Sequence, residues 1–274
     1  MNSFLKWPGG KKWFINRYNA IFPSEFNCYI EPFLGGGAVF FHIEPKKSIL
    51  SDSNNELINL YEVMRDFPKK LSSLMVEHNN KHSMEYYYKI RSFKTGDSIR
   101  DAARFLYLNR TCYNGMYRVN RKGEFNVPIG TKTKCDQDVD QFLKYSGLLK
   151  QAEFSSCDFE ESISRAKLGD LLFVDPPYTV ANKQNSFIKY NDKLFSWSDQ
   201  TRLLNSLCMA KRRGAIIIAT NSSNSQVNEM YLENNFYTQP IPRSCVMAAK
   251  ADKRKSIEEL LITSFGVSNK LGGQ

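Results

Sequence analysis

The run Gly169-Asp170-Leu171-Leu172-Phe173-Val174, followed by Asp175-Pro176-Pro177-Tyr178, constrains the fold more than any other stretch of the chain. Continuous apolar, β-prone residues read as a parallel strand buried on both faces. The two prolines then forbid both strand continuation and an immediate helix, and hold the backbone extended. Asp175 and Tyr178 are thereby kept near each other at the carboxyl end of a strand, where open α/β sheets bind ligands. A carboxylate accepts hydrogen bonds from an amino group, and a tyrosine face stacks on a flat ring. The pair suits chemistry on the exocyclic amine of a nucleobase. A plain proline turn, with Asp175 capping the next segment, is the competing reading, and four residues alone do not decide between them.

The flanking sequence alternates in the same α/β manner. Tyr29-Ile30-Glu31-Pro32-Phe33 reads as a short strand, Gly35-Gly36-Gly37 as a glycine loop, and Ala38-Val39-Phe40-Phe41 as the apolar start of a helix, the first half of a Rossmann-type unit. Ser48–Asp52 is the next strand, and residues 55–65 carry helical apolar spacing. From 68 to 108 the chain turns helical, with Leu71, Leu74, Met75, Tyr86, Tyr87, Ile90, Ala103, Phe105 and Leu106 at helical intervals. Residues 109–134 differ: rich in Lys and Arg, with one acid and three aromatics, they predict a basic loop or hairpin turning at Lys122-Gly123. Strands return at 153–155, 171–175 and 214–220, and 236–239 with 258–263 look like a closing pair. The predicted architecture is a Rossmann-like, doubly wound α/β sheet. Residues 1–54 and 146–274 form the sheet domain, and 55–145 form an inserted helical, basic domain.

Several classes are disfavoured. At 274 residues the chain fits one large domain or one with an inserted module. No apolar run approaches the roughly 20 residues of a membrane helix, and the start MNSFLKWPGGKKWF lacks a signal peptide's features, so a cytoplasmic setting without membrane contact is expected. Six cysteines form no CxxC pair, and only three histidines exist. His78 and His82 have helical spacing without an HExxH signature and read as a surface helix face; no metal site is expected, and the thiols read as buried and reduced. The net charge of +10 points to a polyanionic partner, most commonly nucleic acid.

The glycines at 35–37 let backbone approach a ligand closely, and Asp52 ends the following strand, where an acid commonly binds ribose hydroxyls. GxGxxG spacing is absent, so an adenosine ligand without a pyrophosphate fits better. In Trp7-Pro8-Gly9-Gly10-Lys11, backbone N–H groups beside a lysine can meet a carboxylate. A glycine turn with a surface acid, and a solvated basic terminus, are the plainer readings of these two stretches.

Taken in order, Lys6-Trp7-Pro8-Gly9-Gly10-Lys11, Phe33 to Gly37, Tyr113-Asn114-Gly115-Met116-Tyr117-Arg118, Phe125-Asn126-Val127-Pro128 and Asp175-Pro176-Pro177-Tyr178 closely resemble the Dam-type (D12 class, alpha group) DNA adenine-N6 methyltransferases of bacteria and their phages. Arg243-Ser244, Lys253-Arg254-Lys255 and Glu258-Glu259-Leu260-Leu261 resemble that family's closing hairpin. The resemblance spans essentially the whole chain. It implies S-adenosylmethionine as cofactor, with Trp7, Gly10, Lys11, Phe33, Gly35 and Gly37 around its methionine and sulfonium end and Glu31 and Asp175 also among its contacts. Asp52 would hold the ribose, and Asp158 and Phe159 the adenine. It implies Asp175, Pro176 and Tyr178 as the catalytic group, acting on an adenine flipped out of duplex DNA. Lys6, Tyr113, Asn114, Met116, Arg118, Arg121, Lys122 and Pro128 are the implied DNA contacts. Among them Arg118 would read a base, Tyr113 would wedge into the stack, and lysines of that loop would meet phosphates.

Two departures bear on the target site. Members that methylate GATC commonly carry Gly-Arg-Tyr where this chain has Gly130-Thr131-Lys132, and Met116 replaces a frequent Leu. GATC or a related GAT-core site is therefore expected, with its outer bases open. The resemblance further implies a monomer in a bacterial or phage-infected cell, alone or beside a cognate restriction endonuclease. Rival readings are N6 methylation of RNA, or methylation of a protein glutamine, whose enzymes usually carry Asn in place of Asp175. A catalytically silent DNA-binding regulator of the same fold is opposed by the occupied catalytic positions, and a nicotinamide oxidoreductase by the missing pyrophosphate fingerprint.

Overall fold

Strands and helices alternate through the computed structural model, which describes residues 1–120, 122–135, 138–178, 195–243 and 257–267. Seven strands, β1 (Tyr29–Glu31), β2 (Ser48–Asp52), β3 (Ala152–Ser156), β4 (Leu171–Val174), β5 (Ile216–Ser222), β6 (Tyr237–Arg243) and β7 (Ile257–Thr263), lie in the order β3-β2-β1-β4-β5-β7-β6. The pairs β2–β3, β1–β4 and β4–β5 are parallel, and β7 runs antiparallel to both β5 and β6. This is the Rossmann-like α/β sheet that the sequence predicts, closed by the expected antiparallel pair. Contacts within the chain gather into two compact units, one of Met1–Lys12 and Leu34–Ser156, the other of Trp13–Phe33 and Cys157–Gln274.

The first unit holds α2 (Ala38–Ile43), α3 (Asn55–Asp66), α4 (Pro68–Asn80), α5 (Met84–Ser92), α6 (Ser98–Thr111) and α7 (Val139–Leu149). Asn54 starts α3 by accepting from the Glu56 and Leu57 N–H groups at 3.0 and 3.2 Å, satisfying donors that a helix start leaves open. Leu57, Leu60, Tyr61 and Met64 then recur on one face and are fully buried, each contributing about 1.5–3 kcal/mol by leaving water. Phe4 packs edge-on against Phe41, Tyr61 and Tyr145. Buried Arg104 donates to the carbonyls of Ile90 and Arg91 at 2.8 and 2.7 Å, tying the end of α5 to α6.

The two histidines depart from the surface face predicted for them. His78 stacks on Tyr107 at 4.9 Å and shares a 2.8 Å hydrogen bond with the Tyr86 hydroxyl. His82 does the same with the Tyr107 hydroxyl. The i, i+4 spacing does not make a shared helix face, because α4 ends at Asn80 and His82 lies beyond it; both rings are half-buried against tyrosines of α5 and α6. The described residues between 112 and 129 pair as a short hairpin, with bridges Cys112↔Ile129 and Val119↔Phe125 and Gly123 N–H donating to Asn120 O at 3.0 Å.

The second unit holds α1 (Lys12–Tyr18), α8 (Phe159–Ser164), α9 (Trp197–Arg212) and α10 (Ser225–Glu233). All four residues of β4 are buried, paired Tyr29↔Leu171 and Ile30↔Leu172 on one side and Val174↔Ala219 on the other. Ser196 and Asp199 form a reciprocal capping box at the start of α9. Cys28, Cys112 and Cys135 are buried and Cys157 and Cys208 half-buried, and none of these five is in a disulfide; Cys245 lies outside the described residues. No helix among the described residues is long and apolar enough to cross a membrane.

Candidate active site

In the second unit, β4 delivers Asp175 just past its last buried residue, because Pro176 and Pro177 cannot extend the ladder. Register then supplies a neighbour: Val174 pairs with Ala219, so Thr220 of β5 follows beside Asp175. The buried Thr220 hydroxyl donates to Asp175 Oδ1 at 2.8 Å. Tyr178 is half-buried, and its hydroxyl donates to Glu259 Oε2 at 2.5 Å, with Asp175 Oδ1 at 3.4 Å from the same oxygen. Glu259 of β7 is fully buried, and its Oε1 sits 2.6 Å from Arg243 Nη1. Burial pushes the Tyr178 phenol well above its ordinary pKa, and the charges of Asp175 and Glu259 push it further. The phenol is neutral at physiological pH.

Asp158 caps α8, accepting from Glu160 N–H at 3.0 Å and from Arg202 Nη2 at 2.9 Å. The same guanidinium lies 4.9 Å from the centre of the Phe159 ring. Phe33 stacks on Phe159 at 5.4 Å, and Phe195 meets Phe33 edge-on at 5.8 Å. Buried Glu31 accepts from the Tyr29 hydroxyl at 2.8 Å.

In the first unit, Asp52 lies at the end of β2. Its two oxygens accept from Gly35 N–H and Asn54 N–H, each at 3.0 Å. Burial raises its pKa from the usual carboxylate value, opposed by those two bonds. Gly35 has φ +47°, and a Cβ there would come within 2.7 Å of Trp7 Cδ1, so the loop needs glycine on both conformational and steric grounds. The Tyr61 hydroxyl donates to Gly35 O at 3.1 Å and lies where a Cβ on Gly37 would fall. Trp7 packs over Gly35 and Gly36 and also stacks on Tyr117 at 5.0 Å. Gly10 N–H closes a turn onto Trp7 O at 3.2 Å, and buried Lys11 donates to Gly9 O at 3.1 Å.

The remaining predicted residues lie on or beside the hairpin. Asn109 clasps the Lys6 backbone, accepting from its N–H at 3.1 Å and donating to its carbonyl at 2.7 Å. The Lys6 stem lies over Gly115, whose φ is +64°. Tyr113 is exposed, with its N–H on Pro128 O at 2.9 Å; Asn114 is left-handed at φ 55°, and Met116 is half-buried. Exposed Arg118 gives its Nε to Asn126 Oδ1 at 2.8 Å and its Nη2 to Asn126 O at 3.3 Å. Two of its five donors are thus spent on holding the side chain in place. Lys122 and Pro128 are exposed, and Arg121 lies outside the described residues.

Asp175 and Tyr178 are therefore brought together, as are Trp7, Gly35 and Asp52 in their own unit. Thr220, Glu259, Arg243 and Arg202 are not among the site residues read from the sequence, although Arg243 and Glu259 lie in the stretches that resemble the closing hairpin. The paired acids 258–259 opening an otherwise apolar strand are the one local signal for Glu259, since strand alternation turns one of them inward. Among the described residues no group of three His, Cys, Asp or Glu is placed to hold a metal.

The profile of the D12 class N6 adenine-specific DNA methyltransferases matches residues 7–241. The type II methyltransferase M1.LlaDCHI of Lactococcus lactis subsp. cremoris is 32% identical over 279 residues, covering 97% of this chain and 96% of its own. The type II methyltransferase M.MjaIII of Methanocaldococcus jannaschii is 37% identical, covering 96% and 98%. A DNA adenine methylase of Haemophilus influenzae is 30% identical, covering 96% and 93%. The chain belongs to the D12 class of N6 adenine-specific DNA methyltransferases. It is an enzyme of DNA adenine methylation.

Proposed function

We propose that the protein uses S-adenosylmethionine to methylate adenine N6 at a specific site in duplex DNA, GATC or a related GAT-core sequence, on a base flipped out of the helix. The observation that carries this reading is the Asp175 carboxylate, held by Thr220 at the end of β4 beside a neutral Tyr178. An adenine amino nitrogen is a poor nucleophile because its lone pair is delocalised into the ring. Hydrogen bonds from the two N6–H groups to the Asp175 carboxylate and the Pro176 carbonyl favour a pyramidal nitrogen and stabilise the positive charge that develops there. The Tyr178 ring stacks on the extruded base, and holding N6 in line with the methyl carbon lowers the barrier through orientation. When bound, the cofactor supplies a methyl group already activated by its sulfonium.

The residues present suit that cofactor. Gly35 and Gly37 leave no side chain between loop and ligand, Asp52 offers lone pairs to ribose hydroxyls, Asp158 and Phe159 suit an adenine, and Trp7, Gly10, Lys11, Glu31 and Phe33 suit the methionine end. For DNA, Arg118 would read a base, Tyr113 would wedge into the stack, Lys6, Asn114, Met116 and Pro128 would line the read bases, and Arg121 and Lys122 would meet phosphates. In this reading residues 1–54 and 146–274 carry the chemistry, and 55–145 the recognition. The type II names of two relatives support a role paired with a restriction endonuclease, and the family supports a monomer acting in the cytoplasm of a bacterial or phage-infected cell.

Purified protein incubated with radiolabelled S-adenosylmethionine and duplex DNA, RNA or bulk protein tests the reading. N6-methyladenine in DNA is expected, and its absence overturns the proposal. Asp175→Ala should abolish transfer, at least about a thousandfold in kcat, while cofactor binding stays measurable by calorimetry. An active Asp175→Ala would remove that residue from the chemistry.

A further inference from the structure

On the hairpin of the first unit, the side chains that share a face with Arg118 form two cross-strand pairs. Val119 bridges Phe125, so Arg118 stands opposite Asn126 and Asn120 opposite Glu124. The Asn126 N–H donates to Arg118 O at 3.1 Å, and the Asn120 N–H to Glu124 O at 2.8 Å. Phe125 is buried, 5.9 Å from the Tyr117 ring, and strand alternation gathers Arg118, Asn120, Glu124 and Asn126 on the other face.

A carboxylate is the stronger partner for a guanidinium, yet that pairing is not made here. Glu124, the one acid between residues 109 and 134, accepts from the Asn120 side-chain amide at 2.8 Å instead. Arg118 is held by a neutral residue: its Nε donates to Asn126 Oδ1 at 2.8 Å and its Nη2 to Asn126 O at 3.3 Å. Both bonds fall on the lateral edge of the guanidinium, formed by Nε and Nη2. The end edge, Nη1 and Nη2, keeps the three other donors, and no acid among the described residues pairs with it. We infer that Asn126 is a positioning residue for base readout: it fixes the lateral edge of Arg118 without cancelling its charge, and so presents the end edge to a base with two adjacent acceptors, as guanine has at O6 and N7. A guanidinium already fixed loses less freedom on binding, and it cannot swing to suit a different base. The inference rests on the reading of Arg118 as a base contact.

Methylation rates on a short duplex carrying the site mapped from the enzyme's own modified DNA, and on the set of its single base-pair changes, test the inference. Arg118→Ala first marks the base pair that Arg118 reads, as the position where selectivity is lost. Asn126→Ala should lower selectivity at that same pair about fivefold or more, with the other pairs within about twofold of the parent. Placed in the Arg118→Ala background it should add nothing at that pair, because the side chain it positions is gone. Asn126→Asp keeps the acceptor and adds a negative charge: selectivity should stay within about twofold of the parent while DNA affinity falls. If Asn126→Ala fails to fold, Asn126→Ser, which draws the acceptor back from Nε, takes its place with the same loss expected. A merely structural role slows methylation evenly across the set and gives no loss confined to one pair. Selectivity unchanged in Asn126→Ala or lowered evenly at every pair, or a loss in Asn126→Asp as large as that in Asn126→Ala, overturns the inference. Selectivity intact at every pair in Arg118→Ala sinks instead the base-contact reading beneath it, so the two failures are distinct.

Discussion

Asp52 combines two requirements that pull its ionisation in opposite directions. Burial disfavours the carboxylate and raises its pKa, while Gly35 and Asn54 N–H groups favour the charged form. Because the net shift is upward, Asp52 takes up its proton at a higher pH than an ordinary aspartate. A protonated Asp52 offers fewer lone pairs to ribose hydroxyls, so S-adenosylmethionine affinity should weaken on the acid side, beginning above the usual aspartate range of about 4. Stability carries the other sign: the cost of burying the charge is present above the folded pKa and is relieved as pH falls through it. Calorimetric titration of the cofactor from about pH 4 to 7 should show this acid limb, and Asp52→Asn should flatten it. A limb that persists in Asp52→Asn would assign it to another group.

At the scale of elements, the packing of α4 against α6 carries its own pH dependence. Burial pushes His78 down to about 4 from an ordinary 6.5. The unfolded chain therefore binds a proton near pH 6.5 that the folded chain refuses until about pH 4. Stability should be full above that window and decline as pH falls through it. Urea unfolding monitored across the window should show the slope, and His78→Phe, which keeps a ring on Tyr107, should reduce it. An unchanged slope would place the titration elsewhere. The elements themselves were unevenly legible. Strands β2, β4 and β5 announce themselves as apolar runs and α3 by its period, whereas α9 does not, although its capping box and Leu203, Leu204 and Leu207 were there to be read. Asp175 and Tyr178 sit in one tetrapeptide and could be found together. Glu259 acts on Tyr178 from 81 positions away, and Arg243 joins through a register between β6 and β7 that no local pattern encodes.

For the molecule as a whole, a net charge of +10 sets how the enzyme meets DNA. Each phosphate neutralised releases counterions, so log affinity should fall linearly with log salt, with a slope of roughly −0.9 per phosphate contact. Fluorescence anisotropy on a short duplex should show Lys122→Ala reducing that slope by about 1 while site choice is kept. A changed site preference in that variant would make Lys122 a base contact instead. The parallel pairing of β1 with β4 adds a matter of timing. Tyr29 leaves the ribosome about 140 residues before its partner Leu171 exists. At roughly 5–20 residues per second, the strand waits from about seven seconds to half a minute with one side of its ladder unmet. The second unit is thus assembled from a segment made early and a segment made late, and codon choice before residue 171 governs how long the first must be kept from other chains.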